Sequence, residues 1–455
     1  MVDKTNTDIE AQLRAAVGGT VLVPGDDAYE QARTVYHGGM TQRPAVIVRP
    51  ANADDVAKVV SIARETGVPF AVKSGGHSHF ALVEGGLVLD MSSMKGLEID
   101  PETATAWAES GVTAGEYTTA AHEHGLGNGF GDTGTVGLGG LIVGAGVGYL
   151  ARKWGLTIDD LIAAEVVTAD GQVRFVDAEH EPDLFWAIRG GGGNFGVVTR
   201  IKLRLHEVST VYAGLLVLPA TPEVIAGFVK QSLEAPEELT SILNILPSPP
   251  MPFVPEELHG TPIAMAFMVY AGEGEAAERA VAPFRALDTP IADLIAQIPY
   301  PDIYPEEDEW HPTAAARNLY ADTIDADDAA LIIDRIKAST AVISAVQLRP
   351  LGGAVSRVAD DATAFSHRKR NVNINVAAIY EDPAEAEGHT RWADDLTAAL
   401  QKGVPGVYVN FLADDVNERI GEAYSEQTWA RLREIKRTYD PTNLFRINAN
   451  VPPAE

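Results

Sequence analysis

The sequence predicts an α+β protein whose opening part is tied together by glycine loops and whose middle part is an antiparallel sheet covered by helices. Three observations predict it. Short apolar strands alternate with a capped helix near the start. Three glycine-rich loops fall within the first 200 residues. From about residue 206 glycine thins out, and longer strands alternate with acidic or Ala-rich helical segments. At 455 residues the chain exceeds one simple core, so two domains are expected, with three as the alternative.

Residues 45–49, Ala-Val-Ile-Val-Arg, read as a buried strand closed by Pro50. Asn52, Asp54 and Asp55 supply helix-capping chemistry. Val56, Val59, Val60 and Ala63 then recur at helical spacing, and Gly67 ends the helix. Residues 69–72 and 87–90 read as further strands. Residues 149–154 predict a short helix. Strands at 164–168 and 172–176 are joined by an Asp170-Gly171 turn. Residues 184–189 are helix-like, and 196–201 resume as a strand. Beyond them, strands are expected at 214–218, 263–270, 344–348 and 373–378. Helices are expected at 221–233, 276–286, 326–339 and 383–400. The proline-rich run 246–258 reads as a surface loop.

The formal charge is −29, from 64 acids against 35 bases. Such an excess repels nucleic acid and anionic membrane. Cysteine is absent, which excludes disulfides, thiol nucleophiles and Cys-based metal sites. The N-terminus lacks a basic region followed by an apolar core, and no apolar run reaches about 18 residues. A cytoplasmic protein is the expectation.

Chemistry concentrates in the glycine loops. Val72-Lys73-Ser74-Gly75-Gly76-His77-Ser78 follows an apolar strand. Two glycines allow a sharp turn and close backbone approach to a ligand. His77 then projects where an imidazole nitrogen could meet an electrophilic carbon. A plain glycine turn and a His77/His79 metal pair are the alternatives. Gly131-Asp132-Thr133-Gly134-Thr135-Val136-Gly137-Leu138-Gly139-Gly140 continues through Gly144, Gly146 and Gly148. So long a run without side chains suits a flat, phosphate-bearing ligand. A nicotinamide-binding Rossmann loop, with Asp170 on the ribose, is the rival, although Gly-x-Gly-x-x-Gly is not matched. The third loop, Gly190 to Gly193, leads through Asn194 and Phe195 into Gly196-Val197-Val198. Three such loops favour a large dinucleotide-like ligand. His122-Glu123-His124 looks metal-like but suits a solvated helix end.

These segments resemble the berberine bridge enzyme-like group of FAD-linked oxidases, within the vanillyl-alcohol oxidase superfamily. The resemblance is strongest to the bacterial type that includes 6-hydroxy-D-nicotine oxidase. Ser74-Gly75-Gly76-His77, Thr135 to Gly140, Leu184 to Gly191, Leu351-Gly352-Gly353, Phe365 to Arg368, and Tyr439-Asp440-Pro441 through Asn448 and Asn450 carry it. It implies a PCMH-type FAD-binding domain from residues 1–205 and 405–455. It also implies a substrate domain at 206–404. His77 matches the residue that bonds the flavin 8α-methyl carbon. The position of a second, cysteine-borne bond falls on Thr133, so one bond is implied. Lys73 stands where arginine is common. Val136 matches a position that gates oxygen, and valine there implies an oxidase.

Cofactor contacts are thereby expected at Lys73, Ser74, Gly75, Gly76, His77, Ser78, Thr133, Thr135, Val136, Gly137, Gly139, Gly140, Gly144, Gly196, Val197, Val198, Asn448 and Asn450. For catalysis the candidates are Tyr408 and Asn410, which match a strand facing the flavin, with Gln347 and Asn375. Alternation puts Asn373, Asn375 and Ala377 on one face, with no carboxylate among them. Sheet hydrogen bonding is the alternative for each. Tyr304, Trp310 and Tyr320 are pocket candidates, with core packing as the rival. The implied partners are a small-molecule alcohol, amine or sugar and molecular oxygen, handled by a monomer or homodimer. A flavin dehydrogenase and a catalytically silent FAD-fold protein are the rivals.

Overall fold

The computed structural model describes residues 4–304 and 310–455. Its first sheet runs in the order Thr20–Leu22, Val46–Arg49, Leu87–Asp90, Phe70–Lys73. The last three strands are parallel. Parallel strands are covered on both faces, which is why they read as continuous apolar runs. Helix Ala53–Thr66 covers one face with Val56, Val59, Val60 and Ala63. Tyr29, Ala32 and Val35 cover the other. Asn52 caps that helix through the Asp55 N–H, and Gly67 closes it at φ 68°.

Five antiparallel strands form the second sheet, ordered Leu97–Asp100, Thr105–Glu109, Val197–Arg204, Leu161–Val167, Val173–Asp177. Ala106, Ala108, Ala164, Val166, Ile201 and Leu203 face the core. Antiparallel pairing excludes the Rossmann arrangement. Asp170 is held inside its hairpin by Thr168 and Arg174, far from a ribose role. Gly144 ends the helix Leu138–Gly144 instead of opening one.

The third sheet is the largest, with eight antiparallel strands. Five of them run in the order Pro262–Tyr270, Leu239–Pro247, Ile343–Pro350, Val372–Tyr380 and, at the edge, Thr313–Ala321. Helices Pro222–Glu234, Gly274–Arg285, Ala326–Ala338 and Ala386–Leu400 cover one face. Val346, Leu348, Ile374 and Val376 point into that layer and are fully buried. Burial of each such side chain contributes roughly 1.5–3 kcal/mol. Strands Leu239–Pro247 and Thr313–Ala321 carried no expectation from the sequence, and the first of them takes Leu246 and Pro247 out of the expected loop.

Buried arginines fasten this sheet to the rest. Arg152 donates to the carbonyls of Leu239, Ala235 and Leu351. Arg368, fully buried, grips Asp159 with two nitrogens at 2.6 and 3.0 Å. The chain then returns to the glycine-looped part. Helix Glu426–Tyr439 ends in a fully buried pair, Lys436 Nζ 2.7 Å from Asp440. Lys436 also donates to the carbonyls of Asn194 and Phe445. Asn194 in turn bonds Ala449 and Val451, so the last residues lie against the third glycine loop. No helix among the described residues is long and apolar enough to cross a membrane.

Candidate active site

The first two glycine loops touch. A Cβ on Gly75 would meet the Gly137 nitrogen at 2.3 Å, so this approach requires glycine. Gly76 turns the chain at φ 76°, and His77 follows. The His77 Nε2 lies 3.0 Å from Thr135 Oγ1, and its ring stacks on Tyr36 at 4.4 Å. Its carbonyl accepts from His37 Nε2 at 3.2 Å, and His37 stacks on His79. Burial, reinforced by the neighbouring His37, pulls the His77 imidazole down to about 4. His77 is therefore neutral at pH 7, with a nitrogen lone pair available.

The remaining cofactor candidates divide into two groups. Thr133, Thr135, Val136 and Gly140 line the second loop, and a Cβ on Gly140 would meet only open space. Asn448 donates to the Gly193 carbonyl at 2.9 Å, yet the buried Oδ1 atoms of Asn448 and Asn450 accept nothing from the described residues. Orphaned buried acceptors beside an open glycine loop fit a ligand that brings donors. Other candidates support the fold. Lys73 commits its ammonium to the Ala32 carbonyl and Asp90, at 2.6 and 3.3 Å. Ser74 donates to Ser110, and the hydroxyl of Ser78 accepts from Phe80. Gly139 packs on Ser110, Gly144 on Asn410, and Gly196 on Val167. Val197 and Val198 open a central strand.

The second face of the large sheet packs in part on Tyr149, Leu150 and Tyr300, and beside that cluster it turns polar side chains toward the glycine loops. Asn244, Gln347, Arg349, Asn373 and Asn375 project from adjacent strands in register. Gln347 donates to Asn244 at 3.0 Å and accepts from Arg349 Nη2 at 2.6 Å. Asn318 joins Asn373 and Asn375 and receives the Tyr408 backbone N–H at 2.8 Å. That bond explains one correction. Residues 408–410 are not a strand: a 3₁₀ turn, Val409–Phe411, starts there, with the Phe411 N–H on the Tyr408 carbonyl. Once Asn318 has captured the Tyr408 N–H, no sheet partner is left for it. Asn410 consequently turns toward the Gly140 carbonyl and the Tyr408 hydroxyl, at 3.3 Å each.

The Tyr408 hydroxyl also accepts the Gly146 N–H at 3.1 Å. Burial pushes Tyr408 up to about 12, against the pull of that N–H, Arg349 and Asn410. It is a phenol at neutral pH. Tyr304 donates to the Gly131 carbonyl, Tyr320 is wholly buried, and Trp310 is half exposed. His122 ends the helix Ala114–His122. Tyr36, His37, Asn244 and Asn318 escaped the sequence reading, as did the pairing of Asp132 with Arg349. Arg349 Nη2 lies 2.5 Å from Asp132 Oδ2, an ion pair that joins sheet to loop. Alternation from Gln347 points to Arg349, but nothing local couples it to Asp132.

The family described as "FAD binding domain" matches residues 44–177, and "Berberine and berberine like" matches 407–452. An FAD-linked oxidoreductase of Dictyostelium discoideum is 30% identical over 99% of this chain and 98% of its own. The chain belongs to this FAD-linked oxidoreductase family. (R)-6-hydroxynicotine oxidase of Paenarthrobacter nicotinovorans is likewise 30% identical, over 96% of this chain and 97% of its own. The crystal structure of 6-hydroxy-D-nicotine oxidase from Arthrobacter nicotinovorans superposes with a TM-score of 0.86 at 27% identity, covering 96% and 98% of the two chains. Xylooligosaccharide oxidase of Myceliophthora thermophila shares the fold, with a TM-score of 0.86 at 24% identity and 98% and 99% covered. Membership makes the protein a flavoenzyme, and the loops, orphan acceptors and neutral histidine fit FAD.

Proposed function

We propose that this enzyme is an oxidase carrying one covalent flavin bond, from His77 to the 8α carbon. The enzyme takes hydride from a C–H next to oxygen or nitrogen of a small alcohol, amine or sugar, and returns the electrons to oxygen as hydrogen peroxide. Residues 1–205 and 405–455 hold FAD, and 206–404 hold substrate. The neutral, buried His77 between two touching glycine loops carries this reading. A nucleophilic nitrogen must be unprotonated to bond carbon, and burial keeps it so. When bound, the flavin supplies the two-electron oxidant.

The protein's own side chains then bind and orient. Tyr408, a phenol, offers its O–H as a hydrogen bond to the substrate's oxygen or nitrogen while Gly146 and Asn410 fix its oxygen. Gln347 and Asn375 offer amide donors and acceptors to a polar substrate. Acid precipitation tests the tether: yellow colour stays with the wild-type pellet and leaves with His77→Ala. Flavin freed from the wild type sinks the covalent assignment. Flavin reduction by (R)-6-hydroxynicotine, xylobiose, glucose and simple secondary alcohols, followed by reoxidation in air, tests the reaction. Slow reoxidation in air overturns the oxidase.

A further inference from the structure

The polar face of the large sheet carries no carboxylate, yet oxidising an alcohol or amine releases a proton as well as a hydride. Among the described residues, a carboxylate reaches this face from the opposite wall. Asp132 sits on the second glycine loop, one residue before Thr133, and its side chain is 27% exposed. Arg349 holds its Oδ2 at 2.5 Å, while its Oδ1 has no partner among the described residues. Arg349 is itself fixed. Its Nε and Nη2 both rest on Gln347 Oε1, at 2.9 and 2.6 Å, and its guanidinium covers the Phe411 ring. The loop that carries Asp132 also holds Thr135, whose Oγ1 lies 3.0 Å from His77 Nε2, and Gly131, whose carbonyl accepts from the Tyr304 hydroxyl. A carboxylate with one oxygen clamped and the other open is oriented for proton transfer.

We propose that Asp132 is the proton acceptor of the reaction, taking the substrate's O–H or N–H proton on Oδ1 while Arg349 holds Oδ2. The step balances. The substrate C–H bond breaks and its hydride passes to the flavin, the oxidant. The O–H or N–H bond breaks, its proton forms the Asp132 carboxylic acid, and a C=O or C=N bond appears. Tyr408 keeps its own proton throughout and marks the position of the reacting atom. Arg349 and Gln347 are positioning residues. This assignment rests on the hydride-transfer reading above, so its test has an arm that needs no substrate.

In that arm, sulfite is titrated into the oxidised holoprotein and its affinity read from flavin bleaching. A carboxylate beside the ring repels the anion, so Asp132→Asn tightens sulfite binding about tenfold or more. Equal affinities overturn the proposal. In the second arm, flavin reduction by the best substrate of the panel falls about a hundred- to ten-thousandfold in Asp132→Ala, with flavin content unchanged. Added formate and acetate restore part of the rate, acetate more than formate because it is the stronger base. Rates equal to wild type, or rescue that ignores the basicity of the acid, overturn the role. A panel in which nothing reduces the wild-type flavin sinks the hydride-transfer reading instead, and the sulfite arm alone then judges Asp132.

Discussion

The two faces of the eight-stranded sheet are built from the same strands and solve opposite problems. On strand Ile343–Pro350, Val346 and Leu348 enter the helix layer while Gln347 and Arg349 face the glycine loops. On strand Val372–Tyr380, Ile374 and Val376 alternate with Asn373 and Asn375. One face contributes stability through apolar burial. On these two strands the other carries amides and a guanidinium whose partners lie on distant segments, so there it contributes geometry. A period of two lets both demands share one backbone.

The largest expected effect breaks the apolar face. Leu348→Asp places an unpaired charge among fully buried side chains and costs more than about 4 kcal/mol, read as loss of the cooperative denaturant transition. Retention of the wild-type midpoint would show that the helix layer does not hold the sheet.

Acid probes the buried histidines that lie outside the helix layer. Burial pulls His79 and His367 down to about 4, from an unfolded value near 6.5. A depressed histidine contributes stability above the unfolded pKa, and that contribution is lost as the pH falls toward the folded one. Each is worth on the order of 3 kcal/mol over that window. The denaturation midpoint therefore falls between about pH 6.5 and 4, and His367→Gln flattens part of the drop. An unchanged midpoint across this range contradicts neutral burial.

The smallest effect tests the amide ladder. Asn318→Ala leaves the Tyr408 N–H unpaired and costs about 1–3 kcal/mol. It slows flavin reduction more than it lowers stability, because Tyr408 loses its register. Equal losses in both would make Asn318 a purely structural residue.

Much of this was readable in the residues themselves. Asn373 and Asn375 share a face by alternation, and Gly67, Asn52 and the strand Leu87–Asp90 stand where local rules put them. What escaped is non-local. Asp132 meets Arg349 across 217 positions, and no periodicity reports such a pair. Strand Thr313–Ala321, Thr-Ala-Ala-Ala-Arg-Asn-Leu-Tyr-Ala, hides its alternation behind alanines. Tyr408 to Asn410 looked extended because the sequence does not show that Asn318 takes the Tyr408 N–H.

The buried Lys436–Asp440 pair has a consequence for biosynthesis. Through Asn194 it locks Ala449 and Val451 onto a loop made more than 250 residues earlier, at separations of 255 and 257. The large sheet can pair while the chain is still on the ribosome. The orphan acceptors of Asn448 and Asn450 cannot reach their place until those residues have been translated. On the proposed assignment of these atoms to the cofactor, a product that stops short of residue 448 folds its sheet and stays colourless.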